Sequence, residues 1–117
     1  MYTRNGLGRR GPKYGNRTTI VDGLKFDSKA EANRWFTLGL LLRAGHIRDL
    51  VRQKRYDFVV NGVRIGHYTA DFEYFDLRTN RLVVEDVKSK ATKTRDFPLR
   101  VKLMKALYGI DVSVELR

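Results

Sequence analysis

Two aspartates and a lysine stand where they could grip a cation and act on a phosphodiester. Asp71 belongs to Tyr68-Thr-Ala-Asp-Phe-Glu-Tyr74, and Asp86 and Lys88 to Leu82-Val-Val-Glu-Asp-Val-Lys88. Both segments are rich in apolar, aromatic or β-branched residues, whereas Leu77-Arg-Thr-Asn-Arg81 between them is polar. They therefore read as two strands joined by a turn, and antiparallel pairing holds Asp71 beside Asp86. Strand side chains alternate, so Asp86 and Lys88 share one side with Val87 opposite, and Asp71 shares a side with Thr69 and Glu73. Acids in such a sheet must be neutralised, paired or metal-bound. A hard divalent cation fits oxygen ligands, and Mg²⁺ commonly takes one or two carboxylates plus water and a phosphate oxygen. Such an ion activates water and offsets charge on a phosphodiester.

A helix must bring the next acid. Ser28-Lys-Ala-Glu31 fits a capping box, and an apolar stretch then runs to a stop at Ala44-Gly45. Glu31, Trp35, Leu38 and Leu42 fall in line on that helix, so Glu31 points along the packed stripe. It serves as a cap, as a site residue, or as both. Upstream, Thr18–Val21, Asp22-Gly23 and Leu24–Phe26 give a hairpin with a type I′ turn. Ile47–Leu50 and Lys54–Val60 read as strands, and Asn61-Gly62 turns into Val63–Ile65. Gln53, between two of these segments, could orient a water or a phosphate, although such a residue more often satisfies loop backbone. Tyr68 and Tyr74 read as packing residues with wet hydroxyls. His67 and Glu73 read as ordinary strand positions, with Glu73 an outer acid at most, and Glu85 faces away from Asp86. Pro98 opens a last helix that ends at Tyr108-Gly109, with Leu99, Leu103, Ala106 and Leu107 as its buried face. Asp111–Leu116 alternates as a closing strand.

Charge locates the partner. The 117 residues carry a net +11, and Met1–Phe26 contributes +5 and Lys88–Lys105 +6, while the rest balances. Positive charge gathered beside an acid cluster suits a polyanion brought to a metal site. Residues 1–17 read as a basic flexible arm, with Arg9, Arg10, Lys13 and Arg17 as backbone contacts and 18–117 as a single domain. Lys90, Lys93, Arg95 and Lys102 extend the expected DNA-binding surface. Gly6-Leu-Gly8-Arg-Arg-Gly11 spells GxGxxG without the strand and helix a dinucleotide fold needs. There is no cysteine, and His46 and His67 lack ligand spacing, so a zinc site is not expected. The longest apolar run, Leu38–Leu42, is too short to span a bilayer, which makes a soluble cytoplasmic protein the expectation and a membrane partner not expected.

Asp71, fourteen residues, then Asp86-Val87-Lys88 resembles the signature of the PD-(D/E)XK nuclease superfamily, with Ala70 where the name has proline. Lys25–Trp35, Tyr68–Tyr74 and Val83–Ser89 look like a small phage-encoded family similar to Holliday junction resolvases. The resemblance implies an α/β fold with a restriction-endonuclease-like αβββαβ core, a mixed sheet flanked by helices. It further implies a homodimer cutting branched double-stranded DNA with Mg²⁺ or Mn²⁺ in the host cytoplasm. Asp71 and Asp86 would hold the metal, assisted by Glu31 and the Val87 carbonyl, and Lys88 would orient water and stabilise the phosphorane. Against these stand an ion pair of Lys88 with one aspartate, a non-catalytic DNA-binding protein of the same fold, and a nuclease of flap or duplex specificity.

Overall fold

Strand-forming residues from Ile47 onward build elements longer than their punctuation suggests. A computed structural model of the chain describes residues 19–21, 23–88 and 96–116. A leading hairpin, β1 (Thr19–Val21) and β2 (Leu24–Phe26), is followed by α1 (Lys29–Arg43), β3 (Ile47–Val60), β4 (Val63–Asp76), β5 (Arg81–Lys88), α2 (Phe97–Tyr108) and β6 (Ser113–Leu116). The main sheet has the order β3-β4-β5-β6, antiparallel except where β6 joins β5 in parallel. This is an α/β fold with a mixed sheet, and after the hairpin the order is αβββαβ.

Local chemistry fixes the element ends. Ser28 caps α1 by accepting the Glu31 backbone N–H at 3.1 Å, and Gly109 closes α2 in the left-handed conformation at φ 70°. Asn61 and Gly62 both take positive φ, 50° and 80°, as a type I′ hairpin requires.

Two expectations need correction. Ile47–Leu50 and Lys54–Val60 are one continuous strand, with Gln53 inside it rather than in a loop, and Val63–Ile65 and Tyr68–Tyr74 are likewise one strand. The polar interruptions are absorbed as irregularities: the register shifts between Arg48 and Val51, and Asp49 and Gln53 take φ 54° and 52°. The second correction concerns α2. Its anchor is Met104, 0% exposed, whereas Leu99 is 59% exposed and Ala106 and Leu107 also lie open. The helix meets the sheet through Phe97, Leu103 and Met104, and Arg100 donates to the His67 carbonyl on β4 at 3.1 Å, which sets its rotation.

The sheet is buried on opposite faces at its two ends. Leu38, Ile47, Phe72 and Tyr74 form one cluster with Trp35, Leu50, Val83 and Val87. Tyr56, Phe58, Tyr68, Ala70, Val84 and Met104 form another with Leu103. Val83 and Val84 are adjacent on β5, so the clusters lie on opposite faces, one under α1 and one under α2. On β4 the inward residues are Tyr68 and Ala70 on the α2 side, then Phe72 and Tyr74 on the α1 side. The buried face changes between Ala70 and Phe72. Those two pair with Lys54 and Arg52, so Gln53 and Asp71 occupy the crossover rung.

The rotation of α2 is testable by urea unfolding. Met104→Ala should cost about 2–5 kcal/mol through the cavity it leaves, and Leu99→Ala less than about 0.5 kcal/mol. The opposite ranking would restore the face expected from the sequence.

Candidate active site

Asp71 and Asp86 come together because β4 and β5 run antiparallel in a register that pairs Phe72 with Glu85. One rung further the ladder gives way to side-chain bonding: Asp71 Oδ2 accepts the Val87 backbone N–H at 2.7 Å. The two aspartates also share a hydrogen bond with each other. Asp86 is 3% exposed and accepts the Tyr68 hydroxyl on Oδ2 at 2.8 Å. Burial, then the bonded Asp86 carboxyl, push the Asp71 carboxyl up to about 8, against a smaller opposing pull from the Val87 N–H. The Asp71 carboxyl therefore keeps its proton at neutral pH. Burial and the neighbouring Asp86 likewise raise the Tyr68 hydroxyl far above its ordinary range, which leaves it a donor.

Glu31 reaches the same region from the start of α1. It is 3% exposed, and its Oε2 accepts the Gln53 side-chain amide at 2.9 Å. Its carboxylate also takes a backbone bond at Asp27, so it holds the helix start as a cap would while lying close enough to push the Asp71 carboxyl upward. Burial first, then Asp27, raise the Glu31 carboxyl above the usual carboxylate range.

The opposite face of β5 handles its acid differently. Glu85 is buried and receives Arg34 in a two-pronged ion pair, Nε at 2.6 Å and Nη2 at 2.8 Å, plus the Tyr74 hydroxyl at 2.6 Å. That arrangement ties α1 to the centre of the sheet and leaves Glu85 an occupied structural acid. On the α2 side, Tyr56 donates its hydroxyl to Glu73, the acid two residues beyond Asp71.

The structure thus gathers Asp71, Asp86 and the Val87 backbone, with Glu31 beside them. Among the described residues no three acidic or histidine side chains form a ready-made metal-holding group. Two carboxylates and a backbone carbonyl are still a donor set that a hard cation accepts when water and a phosphate oxygen complete it. The raised Asp71 carboxyl fits this, because a cation beside it would offset the same burial and the same neighbouring Asp86 that hold its proton on. Lys88 ends β5, and its side chain lies outside the described residues, as do Arg9, Arg10, Lys13, Arg17, Lys90, Lys93 and Arg95. Lys102 is exposed on α2.

The expectation that the Tyr68 and Tyr74 hydroxyls are wet is overturned: both are buried and both donate to carboxylates. Strict alternation would set Tyr68 on the face away from Asp71, and the crossover on β4 is what returns it to Asp86. Gln53 also carries more than its loop placement suggested, since it bonds Glu31 directly. No sequence pattern marks either contact.

A family model described as a protein of unknown function (DUF1064) matches residues 11–115. No curated protein and no solved structure matches the chain significantly.

The carboxyl pair makes stability depend on pH in a definite direction. Below about pH 4 the Asp71 position carries its proton in folded and unfolded chains alike. Between about 4 and 8 only the unfolded chain releases it, so the metal-free protein loses stability as pH rises through that window. Asp71→Asn keeps an acceptor for Val87 and a donor for Asp86 without the titration. It should melt above the wild type at pH 8 and level with it at pH 4, without divalent ions; equal melting at pH 8 would contradict the raised Asp71 carboxyl.

Proposed function

We propose that this chain, which belongs to the DUF1064 family, is a metal-dependent endodeoxyribonuclease that hydrolyses phosphodiesters in branched DNA. One observation carries the reading: a buried aspartate, Asp86, and a half-buried one, Asp71, are bonded to each other from neighbouring strands, with Glu31 beside them. Like charges in that position are held only with a proton or a cation between them. The charge distribution supports a polyanionic substrate, because the +11 excess is confined to Met1–Phe26 and Lys88–Lys105. The first of these leads into the helix that carries Glu31, and the second begins two residues after Asp86.

A Mg²⁺ or Mn²⁺ ion held there would activate water as a Lewis acid and offset charge on the reacting phosphoryl group. Asp71 and Asp86 would supply the anionic ligands and the Val87 carbonyl a neutral one, while Tyr68 donates to the Asp86 carboxylate and orients it. Glu31 adds negative charge at the rim. Lys88 orients the attacking water and stabilises the phosphorane, a role that suits a charged ammonium in an anionic setting. The similarity of Lys25–Trp35, Tyr68–Tyr74 and Val83–Ser89 to junction-resolving nucleases of the PD-(D/E)XK superfamily supports four-way junctions as the substrate. Two symmetric cuts in a junction call for two sites at fixed spacing, hence a homodimer.

A second reading has one observation in its favour. With no ready-made group of three acids among the described residues, a non-catalytic DNA-binding protein of this fold would also be consistent.

Cleavage of a four-way junction, a flap and a linear duplex in Mg²⁺ decides between them. The wild type should nick the junction fastest. Asp71→Asn and Asp86→Asn should each reduce cleavage by at least ~10²-fold, and Lys88→Ala by a similar factor, while junction binding persists. Junction binding without metal-dependent nicking would instead establish the non-catalytic reading.

A further inference from the structure

Four described non-glycine residues adopt positive φ: Asp49, Gln53, Asn61 and Asn80. Asparagine and aspartate tolerate that region because a short polar side chain can satisfy the local backbone. Asn61 and Asn80 also sit in turns. Gln53 shares neither excuse: it has a long side chain and lies in the middle of a 14-residue strand. The strain has a neighbour. Arg52, the preceding residue, lays its guanidinium over the Phe26 ring at 4.2 Å and donates to the Lys25 carbonyl at 2.7 Å, yet its Nε is buried without a hydrogen-bond partner. Two consecutive residues therefore hold unfavourable arrangements beside the acid cluster, a pattern that accumulates where geometry serves a site.

What this geometry achieves is specific. Gln53 is exposed overall, but its amide turns inward to donate to Glu31 Oε2 at 2.9 Å. Glu31 is otherwise a buried carboxylate near two others, with every electrostatic reason to swing away. We propose that Gln53 is a positioning residue of the acid site, held in its left-handed conformation so that its amide fixes the Glu31 carboxylate beside Asp71. This inference rests on the nuclease reading and assigns a residue to it. A simpler account is that the left-handed turn serves only to carry the buried face of β3 across the sheet. The two accounts differ on glycine, which adopts positive φ without strain but has no amide side chain.

The test uses the full chain as wild type, Gln53→Gly, Gln53→Asn, Glu31→Gln and the Gln53→Gly/Glu31→Gln double variant. Three readouts are needed: thermal unfolding without divalent ions, Mn²⁺ affinity by calorimetry, and junction cleavage. Gln53→Gly and Gln53→Asn should unfold at or above the wild-type temperature, since both relieve the strain, and the asparagine amide is too short to reach Glu31. Both should bind Mn²⁺ at least about fivefold more weakly and cleave at least about tenfold more slowly. The double variant should be no worse than Glu31→Gln alone, because Gln53 acts through Glu31. Wild-type Mn²⁺ affinity and cleavage in Gln53→Gly or in Gln53→Asn would overturn the proposal, as would losses that multiply in the double variant. A marked fall in unfolding temperature in both single variants would also overturn it, in favour of a structural role. A wild type that neither binds Mn²⁺ nor cleaves would remove the nuclease reading itself, whereas a binding, cleaving wild type with an indifferent Gln53 removes only this inference.

Discussion

The crossover of the buried face between Ala70 and Phe72 is the constraint on which the rest of the structure depends. Among the described residues two helices pack on the four-stranded sheet, and they lie on opposite faces rather than side by side on one. This chain covers one face at one end with α1 and the other face at the other end with α2. A rung therefore exists where neither strand has a settled inside. Gln53 and Asp71 occupy it, and each departs from ordinary ladder behaviour: Gln53 by a left-handed backbone, Asp71 by accepting the Val87 N–H with its side chain. Polar groups can be half-buried there without breaking into a closed core, which is the condition an acid site needs.

Adjacent residues on β5 show how the surroundings decide the chemistry of an acid. Glu85 and Asp86 are both buried and point to opposite faces. Glu85 meets the Arg34 guanidinium and the Tyr74 hydroxyl, donors that match its ionised form. Asp86 meets the Tyr68 hydroxyl and a second carboxyl. The first environment surrounds its acid with three donated hydrogen bonds. The second sets one carboxyl against another, with the Asp71 carboxyl pushed upward by burial and by Asp86. Tyr68 and Tyr74 play matching parts on the two faces, each spending a buried hydroxyl to hold one carboxylate still.

Short-range signals were legible from the sequence. The Ser28 cap, the Asn61-Gly62 turn, the stop at Gly109 and the Asp71–Asp86 adjacency each depend on a few residues whose chemistry admits one local solution. Strand continuity through Arg52-Gln53 was not legible, because polar residues there resemble a loop unless one knows that the strand is irregular. The partner of Tyr68 was hidden for the same reason, since alternation fails at a crossover that only two competing helices create. The rotation of α2 was hidden too: Leu99 and Met104 are both apolar, and Arg100 bonding the His67 carbonyl is a long-range fact that decides between them.

Chain connectivity links this geometry to the charge distribution. Excess positive charge occurs in two segments, and each is covalently tied to one side of the acid cluster. Phe26 is five residues before Glu31 and packs against Trp35 of the same helix, with ring centroids 6.2 Å apart. Lys88 follows Asp86 by two residues on the same strand. Both basic segments border the carboxylates within a few residues of sequence, so their positive charge is tied to the acid cluster by the chain itself. The acids by themselves would repel a phosphodiester. Under the proposed nuclease reading, the flanking basic segments and a cation held by the acids would together offset that repulsion.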